Sequence, residues 1–324
     1  MLIAAAAILV GFIILIWSAD LFVSGAASIA ENMGMSPIII GLTIVSLGTS
    51  APEVLVSIIA SMSNAGDLAV GNAIGSNIAN MGLVLGITIL IVPMSVPHGL
   101  LRAEVPALLI VTLGVGALLL DREISKIDGF LMMGALFLIL FQMVRNQSGN
   151  AALTEEAQEE PLQHLRPTRA WVSFVFGLIV LVASSRLLVW GAISIAEQLG
   201  VSELVIGLTI VAIGTSLPEL AATMASALRG HTEIALGNII GSNLFNLLGV
   251  MSIPGIIHGE LLHPSVLSRD YAAMTGITLI LAAGLHIGRK RKIAPTNHAY
   301  LGRSMGALLL TMYGGYYYWL YSTL

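Results

Sequence analysis

Long apolar runs fill this chain, each ended by a short cluster of Gly, Pro, Asn or charged residues. A spanning helix needs roughly 20 apolar residues, and the pattern predicts ten, at about 3–30, 36–63, 67–92, 103–120, 127–145, 169–196, 202–228, 233–257, 270–288 and 301–321. Several runs exceed that length, which implies tilt or a break. The pattern lapses once: the stretch 147–168 carries Glu155, Glu156, Glu159, Glu160 and two prolines, and reads as a short solvated linker. The expectation is an all-α polytopic membrane protein. Composition narrows this further: 56% of the 324 residues are hydrophobic and 10% charged, with a mean hydropathy of +0.93, against roughly 25% charged residues in a soluble domain. The first apolar run reads as a helix of the mature protein rather than a cleaved signal. With no cysteine in the chain, disulfides, thiolate metal sites and cysteine nucleophiles are excluded.

The two halves repeat. Gly41-Leu-Thr-Ile-Val-Ser-Leu-Gly-Thr-Ser-Ala-Pro-Glu53 returns as Gly207-Leu-Thr-Ile-Val-Ala-Ile-Gly-Thr-Ser-Leu-Pro-Glu219, and Gly71-Asn-Ala-Ile-Gly-Ser-Asn-Ile-Ala-Asn80 as Gly237-Asn-Ile-Ile-Gly-Ser-Asn-Leu-Phe-Asn246. Upstream, Ser28-Ile-Ala-Glu31 matches Ser194-Ile-Ala-Glu197, again 166 residues on. The repeat unit is therefore five helices, 1–146 and 169–324. An odd number of spans makes the second copy enter from the opposite face, an inverted-topology repeat. Arg122, Lys126 and Arg269 fall on the N-terminal side of the membrane. Arg102, Arg145, Arg166, Arg169, Arg229, Arg289, Lys290, Arg291, Lys292 and Arg303 fall on the other. The positive-inside rule then puts both termini outside a cell (inner or plasma) membrane and the acidic linker in the cytoplasm. The aromatic cluster from Tyr313 to Tyr321 is expected to form a belt at the outer interface.

Candidate chemistry lies in the motifs. Counting along each helical hairpin from its turn, near Asn64–Asp67 and near Gly230–Thr232, Glu53, Asn80, Glu219 and Asn246 all reach a depth of about 20 Å, the bilayer midplane. A carboxylate there costs several kcal/mol unless it is paired or wetted, and these four spans hold no Lys or Arg. A bound cation is the simplest partner. Pro52 and Pro218 interrupt the helix ladder, making the carbonyls of Ser46, Leu47, Ala212 and Ile213 candidates for release. Together with the hydroxyls of Thr49, Ser50, Thr215 and Ser216, and with Ser76, Asn77 and Asn80 at matching spacing on the partner helix, the inventory is all oxygen. It suits a hard cation such as Ca²⁺, which takes about 6–8 oxygens, and two glutamates balance its charge. The glycine pairs 71/75 and 237/241 read as close helix-packing patterns. Asp20 and Arg186, equivalent positions of opposite sign, either pair with each other or snorkel to opposite interfaces.

At these motifs the sequence resembles the sodium/calcium exchangers of the cation/calcium antiporter superfamily, in their compact bacterial form. The resemblance spans essentially the whole chain. It implies ten transmembrane helices in two inverted five-helix repeats and extrusion of Ca²⁺ driven by Na⁺ entry. Glu53, Glu219 and the carbonyls of Thr49 and Thr215 would hold Ca²⁺. The carbonyls of Ser46 and Ala212 and the hydroxyls of Ser50, Ser76, Ser216 and Ser242 would serve Na⁺. Asn80 and Asn246 would border the centre. Some members carry an acid at the position of Asn246; an amide there removes a charge and argues against K⁺ co-transport. The expected substrates are Ca²⁺ and Na⁺, with no cofactor, no nucleic-acid partner and no enzyme activity. The competing readings are a Ca²⁺/H⁺ antiporter and a cation channel.

Overall fold

The computed structural model describes residues 1–147, 165–200, 212–288 and 298–323. Most of the linker, residues 201–211 at the start of the second Gly-Thr-Ser motif, and the basic run 289–292 lie outside the described residues. The chain is helical apart from two short β-ladders. Helix α1 is Leu2–Met33, followed by α2 (Pro37–Thr49), α3 (Ala51–Met62), α4 (Gly66–Ile91), α5 (Leu100–Asp121) and α6 (Lys126–Gln147). The second half runs through α7 (Pro167–Gln198), α8 (Ala212–Thr215), α9 (Leu217–Leu228), α10 (Thr232–Ile257), α11 (Val266–Gly288) and α12 (Arg303–Ser322). Among the described residues seven helices are long and apolar enough to cross a membrane, and the bent pair α2–α3 makes an eighth span. The equivalent pair α8–α9 begins beside the undescribed 201–211, and α12 is diluted by its five tyrosines and three glycines.

Strand β1 (Met94–Pro97) pairs antiparallel with β4 (His298–Leu301), and β2 (Glu123–Ile124) with β3 (Glu260–Leu261). Each ladder joins one half to the other, and β3 begins 166 residues after β1, as the repeat requires. These strands are too short and irregular to stand out from the loop pattern in sequence.

Buried apolar side chains form two clusters. The larger is built from α4–α6 and α10–α12. The smaller joins α1 and α7, with Ile40, Val45, Ala222 and Ile234 at its margin. Small residues bring α1 and α7 together: a Cβ on Gly25 would stand 2.5 Å from the Phe174 nitrogen, and one on Gly177 2.7 Å from that of Phe22. The rings of Phe22 and Phe174 stack at 4.8 Å. These two helices thus make a paired unit against the rest. Each ends in a left-handed glycine, Gly34 at φ +62° and Gly200 at φ +76°, a conformation that costs glycine nothing.

Two expectations need correction. Asp20 does not meet Arg186, which is exposed; it pairs with Arg229 at 2.5 Å, because the end of α9 reaches α1. The terminal aromatics form only part of a belt: Tyr318 and Tyr321 are exposed, but Tyr313 is buried against Gly82 and Tyr316 donates to Asp270 at 3.1 Å. Of the glycine pairs, Gly237 and Gly241 pack on the backbone of Ile38 and Leu42, as expected; the equivalent partners of Gly71 and Gly75, at 204 and 208, lie outside the described residues.

Candidate cation site

Two helix breaks and two π-turns build the centre. The α2–α3 pair bends by 45° at Ser50, whose φ of −83° and ψ of 3° lie in the sparsely populated bridge region. Ser216 repeats this at −88° and 5°. Pro52 and Pro218 follow, in the first turn of α3 and α9, where a missing N–H costs nothing. Glu53 and Glu219 share that turn and point inward. Across from them, α4 widens into a π-turn at Asn80–Val84 and α10 at Phe245–Val250. Such bulges re-aim side chains and recur at functional sites; here they hold Asn80 and Asn246.

Burial is complete. Glu53, Glu219, Thr49, Ser50, Asn80, Asn246 and Ser242 are all 0% exposed. Ser76 donates to Glu53 Oε1 at 3.4 Å, and Ser50 donates to Glu219 Oε1 at 3.4 Å, across the two halves. Ser50, three residues before Glu53, thus brings the turn that carries Glu53 against the Glu219 carboxyl. Asn80 donates to Asn243 Oδ1 at 3.3 Å, and Asn77 to the Asn243 carbonyl at 3.2 Å. Among the described residues, Glu53 Oε2, Glu219 Oε2, Ser216 Oγ and Oδ1 of Asn77, Asn80 and Asn246 have no hydrogen-bond partner, and neither do the amide nitrogens of Asn243 and Asn246. Buried polar atoms are rarely left unpaired, and unpaired carboxyl oxygens from both halves are what a cation completes. Among the described residues no three His, Cys, Asp or Glu side chains gather, so the charge at this centre is two carboxylates amid neutral oxygens.

The sequence-named residues largely converge here, with Ala212 opening α8 and Thr215 half-buried at its end. The freed carbonyls are the exception. Ser46 O accepts the Ser50 N–H at 2.9 Å and Ile213 O the Ser216 N–H at 3.1 Å, because the break falls after Ser50 and Ser216 rather than before them. Each carbonyl keeps a second lone pair. Sequence reasoning passed over Asn238, Asn243 and Thr223, which the structure places among these polar contacts. The first two stood inside the quoted repeat motif, and that recurrence was the available signal.

A sequence model of the family described as sodium/calcium exchanger protein matches residues 3–144 and again 169–322. The chain belongs to the sodium/calcium exchanger family. It is 45% identical to a putative antiporter, CaxA, of Alkalimonas amylolytica over the full length of both chains. It is 32% identical to the sodium/calcium exchanger MaX1 of Methanosarcina acetivorans, with 87% of this chain and 91% of the relative covered. The solved structure of the sodium-calcium exchanger NCX_Mj superposes with a TM-score of 0.80 at 32% identity, covering 96% of each chain. The family is one of membrane antiporters, so this chain is an integral membrane cation transporter.

Proposed function

We propose that the chain exchanges Ca²⁺ for Na⁺ across a cell membrane by alternating access, through one centre shared by Glu53 and Glu219. The observation that carries this is the pair of wholly buried carboxyls, one from each half, each with an oxygen that has no partner among the described residues. Two inverted five-helix repeats, ten spans in all, account for the family's match to each half separately and for the two equivalent β-ladders. Both termini are then outside and the linker 147–168 is cytoplasmic.

In this reading Ca²⁺ is held by Glu53 and Glu219 with the carbonyls of Thr49 and Thr215. Na⁺ ions use the same carboxylates with Ser50, Ser76, Ser216 and Ser242 and the carbonyls of Ser46 and Ala212. Asn80 and Asn246 border the centre without adding charge, which leaves two negative charges and no K⁺ site. Sharing of the carboxylates prevents both ion sets from binding in full at once, and that exclusion couples the fluxes. The α1–α7 unit moves against the remaining helices, with hinges beside Gly34 and Gly200.

Purified protein in liposomes, with Na⁺, K⁺ and H⁺ gradients imposed one at a time, tests this by ⁴⁵Ca²⁺ uptake. An outward Na⁺ gradient should drive uptake alone. The second reading, Ca²⁺/H⁺ antiport, is favoured by the same buried carboxyls, either of which can take a proton in the cation's place; uptake driven by a pH gradient and indifferent to Na⁺ selects it.

A further inference from the structure

The break at Ser50 leaves Thr49 as the last residue of α2, next to a 45° bend. Local helix bonds alone would let this residue swing. Its side chain is instead tied to the opposite half. Thr49 Oγ1 donates to Asn238 Oδ1 at 3.1 Å, and Asn238 Nδ2 donates to Thr223 Oγ1 at 2.9 Å. All three side chains are 0% exposed. Thr223 lies on α9 one turn beyond Glu219, on the same helix face. The chain Thr49–Asn238–Thr223 therefore spans from the end of one broken helix to the helix that carries the second glutamate.

We propose that Asn238 is a positioning residue of the cation centre: it ties Thr49, beside the helix break, to the helix that carries Glu219. The proposal rests on the exchange centre described above. A hydroxyl has one proton and two lone pairs. Thr49 Oγ1 has Asn238 Oδ1 at 3.1 Å, Ser46 O at 3.3 Å and Ser242 Oγ at 3.5 Å within reach, and the Glu219 carboxyl also lies within reach of its hydroxyl. The Asn238 contact ties this hydroxyl, poised between the two halves, to Thr223 and so to the helix of Glu219. The equivalent residue in the other half is used differently: Asn72 is half-buried and donates to the Glu53 carbonyl at 3.3 Å.

The test is Ca²⁺ binding to the purified full-length protein, titrated with CaCl₂, beside its thermal unfolding midpoint. Asn238→Ala and Thr223→Val should each weaken Ca²⁺ binding roughly threefold to tenfold, the range for loss of one supporting hydrogen bond. The unfolding midpoint without Ca²⁺ should change little for the near-isosteric Thr223→Val. Because Asn238 acts through Thr49, Thr49→Val should absorb the effect: adding Asn238→Ala or Thr223→Val to it should cost almost nothing more. Effects that multiply independently overturn the proposal, as does unfolding at lower temperature with Ca²⁺ affinity intact. Should Asn238→Ala not fold, the Thr49→Val/Thr223→Val cycle decides: losses in Ca²⁺ affinity that add independently overturn the proposal, and a second substitution that costs almost nothing supports it. A wild type that binds Ca²⁺ yet shows no Na⁺-driven flux would sink the exchange reading and leave this one standing; one that binds no Ca²⁺ sinks both.

Discussion

Glu53 takes its hydroxyl partner from its own half, Ser76, while Glu219 takes Ser50 from the other half. The asymmetry continues outward. Asn238 is fully buried in a cross-half chain, and Asn72 is half-buried on a backbone carbonyl. Two segments related by near-identical motifs thus occupy different environments in one conformation. On the proposed inverted-repeat reading, the opposite access state is reached when the halves trade environments, and features with no counterpart in the other half would bias the equilibrium between states.

The strongest way to break the comparison is at the carboxylates, which charge makes equal whatever their surroundings. Removing one charge about 4 Å from a divalent cation at an effective dielectric of about 20 forfeits ~8 kcal/mol, well beyond about a thousandfold in affinity. Glu53→Gln and Glu219→Gln should each abolish Ca²⁺ uptake and each abolish the rise in unfolding temperature that saturating Ca²⁺ gives the wild type. If one variant retained Ca²⁺ binding within about tenfold of wild type, the centre would belong to one half only.

Much of this centre was legible because duplication wrote it twice. The breaks at Ser50 and Ser216 follow from Gly-Thr-Ser-x-Pro, and the depth of Glu53 follows from counting residues to the turn at Asn64, whose φ is +56°. What escaped depended on the relation between segments far apart in sequence. Asp20 meets Arg229 rather than Arg186 because helix crossing, not repeat arithmetic, chooses neighbours. The π-turns at Asn80 and Phe245 leave no local signal, since π and α share nearly the same backbone angles. The ladder between Met94 and Leu301 joins strands of four residues, below what alternation can register.

The Asp20–Arg229 pair sharpens the comparison next. It ties α1 to the end of α9, yet Arg229 is matched by Ser63 in the other half, and the counterpart of Asp20 is the exposed Arg186. Among the described residues, Ser63 and Arg186 form no equivalent pair. The pair is partly exposed, 37% for Arg229 and 54% for Asp20, so its worth is within about 1 kcal/mol and salt-sensitive. Arg229→Ala should shift the ratio of forward to reverse exchange by less than about fivefold, and 0.5 M salt should reproduce the shift in the wild type. Arg186→Ala should leave the ratio alone; an equal effect from both would show a latch on each face.

The smallest expected effect comes from His231, whose counterpart is Ala65. It stands in the loop before α10, where burial, with help from the Arg229 charge and against that of Glu31, holds its imidazole below the ordinary value. The folded chain then binds that proton less readily than the unfolded one. Stability falls as pH drops from about 7 through the ordinary imidazole value of about 6.5. The ring is half-buried and screened, so the slope is worth less than about 1 kcal/mol. Unfolding midpoints from pH 8 to 5.5 should decline slightly less steeply in His231→Gln than in the wild type. Because no titratable group stands at position 65, this part of the pH response belongs to the second half alone. A slope unchanged by the substitution would return the two loops to equivalence.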